Sequence, residues 1–338
     1  MRKHNFLGRR VVKTGVAAFF TALICQWIGW PVAFAVITAI VTIEPTVSDS
    51  IKKGIIRFPA SAIGSAYAVL FMSLFGDSPI TYALAAVFTI ATCFKLKLHA
   101  GLLVATLTSV AMIDVIHGHF LIAFFIRLGT TTIGIGVSTL VNMFVLPPKY
   151  RNIITGKVNH IKLRTGAQIE KISRLVLEGS DDKKKLMLDE LTKLDEEIHK
   201  TEILCRFQRE EVKYHPLLES EQLAFQQSQK QLNNLRLIHY HLSNLIYNPI
   251  IHLSWTADEK KIILDAVITM ANSLKDEALY SSEANMKQMD CITELFWEDN
   301  EELTKNNAHH PTNFPPELIV LYELVSIYEL VNKFYSEK

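Results

Sequence analysis

The sequence predicts an all-α protein in two parts. Residues 1–148 form a polytopic membrane helical bundle of about six spans in an inverted 3+3 repeat, and residues 149–338 form a cytoplasmic C-terminal helical domain. Three observations predict this. Charge is segregated: residues 1–150 carry 12 Lys+Arg against 4 Asp+Glu, and the remaining 188 carry 23 against 30. The first part is apolar with its few charges clustered, whereas the second is charged throughout with Leu and Ile at helical spacing. Finally, the first part matches itself when shifted by 70 positions.

A hydrocarbon core about 30 Å thick takes roughly 17–25 helical residues to cross. Runs at about 13–30, 32–47, 56–75, 79–94, 98–114 and 119–146 fit, two of them short. Gly29-Trp30-Pro31, Gly76-Asp77-Ser78-Pro79 and His117-Gly118-His119 separate them with turn chemistry. The basic residues fix the orientation. Residues 1–13 hold Arg2, Lys3, Arg9, Arg10 and Lys13. The loop near 48–57 holds Lys52, Lys53 and Arg57, the loop near 95–99 holds Lys95 and Lys97, and Lys149 and Arg151 follow the last span. The three alternate loops have no Lys or Arg, so the positive-inside rule makes both termini cytoplasmic and puts Trp27 and Trp30 at the outer interface. Ala33-Phe34-Ala35 resembles a signal-peptidase site, but the apolar run is longer than a signal sequence and more spans follow, so it reads as an uncleaved first helix.

The 70-residue shift lays Thr38 on Thr108, Glu44 on Asp114, Arg57 on Arg127 and Gly64 on Gly134. In each copy a carboxylate precedes the Arg by 13 positions and a Gly follows it by seven. Three spans per copy invert the second relative to the first, as in secondary transporters with two gates around a midplane site. Arg127, deep in the last span, must face the bundle interior, because a lipid-facing Arg costs several kcal/mol. It reads either as an anion-attracting group on a substrate path or as half of an ion pair with Asp114. Arg57 lies close enough to the inner interface to snorkel. Glu44, before Pro45, and Asp114 would balance the arginines or carry a coupling proton, which requires burial. Gly64, Gly134 and Gly136, with Ser61, Ser65 and Thr130–Thr132, mark close helix packing. His117 and His119 read as solvated outer-loop residues.

The second part reads as helices near 151–178, 182–212, 216–247, 256–279, 283–304 and 315–335. Asp181-Asp182, Thr256 and Ser282 are starts, and Pro216, Pro249 and Pro311 are breaks. Met187, Leu191, Leu194, Ile198, Thr201 and Cys205 step by four and three like a coiled-coil seam, as do Leu232, Leu235, His239, Leu242 and Ile246. Such a seam closes within the chain or joins copies into a homo-oligomer. Cys25, Cys93, Cys205 and Cys291 have no metal-ligand spacing and read as reduced thiols. His239, His241 and His252 read as packing residues. No metal, cofactor or nucleic-acid partner is implied. The absence of phosphate-loop, GxSxG and HExxH motifs argues against an ATP-driven pump or a hydrolase.

GRRVVKTGVA (8–17), EPTVSDSIKKGIIRFPASAIGS (44–65) and RLGTTTIGIG (127–136) resemble the aromatic acid exporter family of Gram-positive bacteria. That family groups with fusaric-acid-resistance type transporters and is similar to plant aluminium-activated malate transporters. The likeness is clearest over 8–148, and the tail resembles the cytoplasmic domain of the Gram-positive branch. One departure is Ala60-Ser61 where the family often has Gly-Thr; the second copy keeps Gly129-Thr130. The resemblance implies export of small organic anions such as aromatic carboxylic acids. Taken with the residues, the reading is a plasma-membrane, non-enzymatic exporter in which Arg57 and Arg127 attract the carboxylate and Glu44 and Asp114 balance or couple. Ion or membrane potential, not ATP, would drive it. Its rivals are an organic-anion channel of the same fold and a membrane-anchored scaffold whose cytoplasmic helices bind a partner.

Overall fold

The computed structural model describes residues 8–114, 119–179, 183–247, 253–306 and 316–336, and these form twelve α-helices with no strand. Arg2, Lys3, His117, Gly118, Asp181-Asp182, Pro249, His252 and Pro311 lie outside the described residues. The chain divides into two compact units: Met1–Pro148 with Arg209–Pro216, and Lys149–Gln208 with Leu217–Lys338.

The first unit contains α1 (Arg9–Ile28), α2 (Val32–Thr42), α3 (Val47–Phe75), α4 (Pro79–Lys95), α5 (Leu102–Ile113) and α6 (Phe120–Phe144). Of these, α1, α3 and α6 are long and apolar enough to cross a membrane, while α2, α4 and α5 are shorter apolar helices. Gly29 closes α1 in the left-handed region (φ 76°), and Pro31 precedes α2. Ser78 caps α4 by accepting a hydrogen bond from the Thr81 amide, with Pro79 in the first turn. A 3₁₀ turn, His99–Gly101, precedes α5.

One boundary differs from expectation. Helix α3 starts at Val47, so Lys52, Lys53 and Arg57 stand on its first turns and not in a loop. The reason is local: the Thr46 side chain accepts from the Asp49 amide, and Asp49 is an acidic residue in the first turn. The linker shrinks to Ile43–Thr46, which contains Glu44.

Burial in this unit is the reverse of a water-soluble core. Ala17, Ala35, Ala39, Ala60, Ala68, Ala85 and Ala105 are fully buried, while Phe19, Trp27, Leu74, Phe94, Leu103, Leu121 and Phe144 are exposed. Large apolar side chains outside and small ones inside suit a lipid surround, where association depends on close backbone approach. Several buried hydroxyls are satisfied along their own helices: Thr42 donates to Thr38 O at 2.7 Å, Ser65 to Ser61 O at 2.8 Å and Ser138 to Gly134 O at 2.7 Å, whereas those of Thr21, Thr89 and Thr139 have no such partner.

The packing falls into matched pairs. Helix α3 packs on α5 as α6 packs on α2. The α1–α2 contact has a counterpart in α4–α5, α1–α6 in α4–α3, and α3 meets α6. A Cβ on Gly64 would lie 2.4 Å from Ala105 O, and one on Gly134 2.5 Å from Ala35 O. A Cβ on Gly101 would come within 2.5 Å of Ala60 Cβ, so the third span is tightly packed without the family's glycine. Gly136 is corrected: a Cβ there would meet nothing within 4 Å, because it lies on a face of α6 that no neighbour covers.

The second unit contains α7 (Tyr150–Glu178), α8 (Lys184–Glu211, except its last turn), α9 (Glu219–Tyr247), α10 (Ala257–Lys275), α11 (Ser282–Asn306) and α12 (Pro316–Ser336). Helix α7 packs on α9 and α10, α9 on α12, and α11 on α12. Its core is of the aqueous kind, with Ile161, Ile172, Leu194, Ile198, Leu235, Ile238, Leu242, Val267 and Tyr328 buried in one cluster. Both heptad stripes are largely buried within this single chain. Arg236 of α9 binds Glu202 of α8 through Nε and Nη2, both at 2.9 Å, and also meets Asp195. Thr256 and Glu259 form a capping box that starts α10. The Tyr335 hydroxyl donates to Ser273 O at 2.9 Å, and burial pushes it up to about 12.

The glycine contacts generate a stability test. Gly64→Val or Gly134→Val forces a side chain into a facing backbone and should cost at least about 1–3 kcal/mol. Gly136→Ala should hold or raise stability, since Ala is the better helix former by up to about 1 kcal/mol. Thermal unfolding of the detergent-solubilised protein, followed by size-exclusion fluorescence, reads both.

Candidate functional site

Arg127 lies eight residues into α6 and is 3% exposed. Helix α5 offers it the Thr108 hydroxyl, which accepts from Nη2. Thr130, one turn on, accepts from Nη1 at 3.4 Å, and its own hydroxyl donates to Arg127 O at 2.9 Å. From α2, the Phe34 ring stacks on the guanidinium with its centroid 4.7 Å from Cζ. Nε is buried without a hydrogen-bond partner. Two hydroxyls and a ring hold the cation in place, and none of them neutralises it.

Beside it lies a cavity of about 200 Å³. Pro31, Phe34, Met112, Ile122 and Ile126 form apolar walls, and Arg127, Thr130 and His119 are its polar groups. His119 is exposed in the segment before α6, as expected, and also lines the cavity. The geometry is that of a small-molecule pocket: mostly apolar, with one charge to fix orientation.

Asp114 and Arg127 do not pair. Asp114 follows the last turn of α5 and is exposed, and the Tyr82 hydroxyl of α4 donates to its carboxylate. Among the described residues Arg127 meets no carboxylate.

Arg57 is held differently. Its Nη2 is 2.9 Å from Glu44 Oε1, and Lys53 Nζ is 2.9 Å from Glu44 Oε2. Nε donates to Ala100 O at 3.3 Å. Two cations thus share one carboxylate. Phe34 and Glu44 are ten residues apart and span α2, so Arg127 and Arg57 stand roughly 15 Å from each other along that helix.

The Glu44 end holds a further polar network that sequence reasoning missed. Lys13 of α1 is buried and donates to Asn142 Oδ1 at 2.7 Å and to Asn142 O at 3.1 Å. The Asn142 amide nitrogen of α6 reaches Glu44 O at 3.0 Å, Thr46 O at 3.1 Å and Ser50 Oγ at 2.9 Å. Arg10 donates to Ile43 O at 3.2 Å. Segment 209–216 joins this network. Glu210 accepts from Thr46 Oγ1 at 3.0 Å and Glu211 accepts from the Val47 amide at 2.7 Å. His215 lies 3.0 Å from Glu211 Oε2 through Nδ1 and 2.9 Å from Met143 O through Nε2. A lone Asn in an apolar helix is a signal that could have found Asn142. Glu210, Glu211 and His215 lie in an ordinary charged helix end and carry no such signal.

In the second unit, burial pushes His239 below its usual range while Nε2 lies 3.1 Å from Leu191 O. His241 Nδ1 contacts Glu323, which also accepts from Asn244 at 2.9 Å. Both histidines join packed helices.

Residues 5–145 match the family described as Aromatic acid exporter family member 1. A UPF0421 protein of Oceanobacillus iheyensis is 51% identical over 336 residues, covering 99% of this chain and 97% of the relative. One from Bacillus cereus is 43% identical, covering 98% and 94%. One from Staphylococcus haemolyticus is 37% identical, covering 99% and 98%. By these near-full-length likenesses the chain belongs to the UPF0421 proteins of Gram-positive bacteria, and its residues 5–145 match the aromatic acid exporter family.

Proposed function

We propose that this protein exports small organic anions, aromatic carboxylic acids foremost, across the plasma membrane, and that Arg127 receives the carboxylate. One observation carries the reading: a buried guanidinium without a carboxylate partner among the described residues, at the wall of an apolar cavity. Burying an uncompensated charge is costly, and an anionic ligand would relieve that cost. A carboxylate would take the two-pronged face of the guanidinium, and Phe34 with the apolar walls would take a ring. No nucleotide-binding motif is present, which favours a gradient or membrane potential as the driving force.

The chain crosses the membrane six times in this reading, with both termini cytoplasmic and the first three helices repeated in inverted orientation. The matched packing pairs support the repeat, since each becomes its counterpart when residues of the first half are moved forward by 70 and those of the second half back by 70. Gly64 and Ala105 correspond in this way to Gly134 and Ala35. Ser61 and Thr131, themselves 70 apart, meet hydroxyl to hydroxyl at 3.0 Å, as equivalent residues do beside a two-fold axis. The two arginines then belong to opposite gates, Arg57 inner and Arg127 outer. The inner one is neutralised by Glu44 and the outer one is free for a ligand.

Arg127→Gln should reduce carboxylate export about 10- to 100-fold, the worth of a hydrogen bond to a charged group, while leaving the protein inserted. Arg127→Lys should recover part of it, since a point charge replaces a planar fork. Efflux of a panel of radiolabelled aromatic and aliphatic acids, normalised to membrane protein, measures both. Normal export by Arg127→Gln would refute the site. Flux that never saturates or concentrates its substrate would instead mark a channel.

For topology, cysteines at Lys52 and Lys97 should be protected from an impermeant maleimide in intact cells, and one at Asp77 should react. All three positions are exposed on the protein. Labelling at Lys52 would overturn the six-span arrangement.

A further inference from the structure

We propose that segment 209–216 is a strap that locks the inner end of the membrane unit shut. The inference rests on the exporter reading above. Helix α3 begins the gate of one repeat and α6 ends the other, so opening the inner side requires Val47 and Met143 to part. The strap ties both. The Glu211 carboxylate holds the Val47 amide at 2.7 Å. His215 sets Nδ1 3.0 Å from that carboxylate and Nε2 2.9 Å from Met143 O, and with both ring nitrogens protonated it donates to the two acceptors at once. Glu210 adds a bond from Thr46 Oγ1 at 3.0 Å.

Glu211 is 1% exposed and has two properties that suit a lock. It answers the positive end of α3, whose first amides have no partner within the helix. It also lies within electrostatic reach of Lys13, which is tied through Asn142 to α6. The bond is therefore charge-assisted and desolvated, stronger than a surface pair. It is also removable, since the strap leaves no covalent tie behind. The Asn142 bonds to Glu44 O, Thr46 O and Ser50 join the same two helices and reinforce the closure. At the Arg127 end the described residues include no matching strap, and there the cavity lies. An exporter resting in this state would face outward and take up substrate only after the strap lets go. Glu211 is the last residue of α8, so whatever pulls on that helix acts on the lock directly.

The test reads the lock apart from transport. Ser48, next in the chain to the strapped Val47, is buried and has no part in the Asn142 network. Full-length protein with Ser48→Cys is placed in inside-out vesicles and alkylated with N-ethylmaleimide, the label at position 48 being read apart from the native cysteines. Adding Glu211→Gln, or separately His215→Gln, should speed alkylation at least about tenfold, as expected when a charge-assisted bond is lost. An unchanged rate in properly folded variants would overturn the lock. So would aggregation of both variants on size exclusion, which would make the segment a folding element. If benzoate export by the unmutated protein is absent while alkylation accelerates, the exporter reading fails and the strap stands. If export is present and alkylation is unchanged, the strap alone fails.

Discussion

Close backbone approach at two small-residue contacts is the constraint on which the membrane unit depends. With large apolar side chains facing outward, burial from water cannot drive the helices together. Gly64 against Ala105 O and Gly134 against Ala35 O instead let α3 sit on α5 and α6 on α2 at distances no larger side chain would permit. Arg127 stands about two turns from Gly134 on α6, and Arg57 stands in the same relation to Gly64 on α3. Setting the depth of each glycine contact thus sets how deeply each arginine is enclosed. The cavity and the Glu44 network are consequences of this packing.

The two arginines show how matching positions in two similar segments can lead to different electrostatics. Glu44 sits in a four-residue linker that Pro45 keeps extended, which brings its carboxylate back onto the first turns of α3. Lys53 adds a second cation to it. Asp114 instead follows the end of α5 and is taken by Tyr82 of α4, a partner for which the first copy has no counterpart, since the residue 70 positions before Tyr82 is Val12. One charge on α3 is thereby neutralised and its equivalent on α6 is left to hydroxyls and a ring.

Much of the fold was legible because it rests on periodicity and turn chemistry, both local. The helix breaks at Gly29-Trp30-Pro31 and Gly76-Asp77-Ser78-Pro79, and the stripe Met187, Leu191, Leu194, Ile198, are written in a few neighbouring residues. The early start of α3 was missed because a Thr46 cap outweighed the clustered lysines that suggested a loop. Arg127 could be singled out because a charge in an apolar run is rare. Its environment could not be read. Thr108, Phe34 and Met112 are unremarkable residues brought together from 19, 93 and 15 positions away in the chain. Gly136 misled for the opposite reason, since a GxG pair on one helix does not say which glycine faces the neighbour.

Tertiary polar groups at the Glu44 end extend the same point to regulation. A helix whose first turn is buried must find partners for its first amides, because water does not reach them. Thr46 serves the Asp49 amide of α3, and the Val47 amide is served by a carboxylate more than 160 residues along the chain. Using a distant residue where a local cap would suffice makes helix α3 depend on a segment that follows the whole apolar bundle in sequence. Asn142 shows the alternative: a residue within the bundle that reaches Glu44 O, Thr46 O and Ser50 and needs nothing beyond it. Asn142 alone would join these two helices; Glu211 and His215 add a second tie between α3 and α6 from a segment outside both.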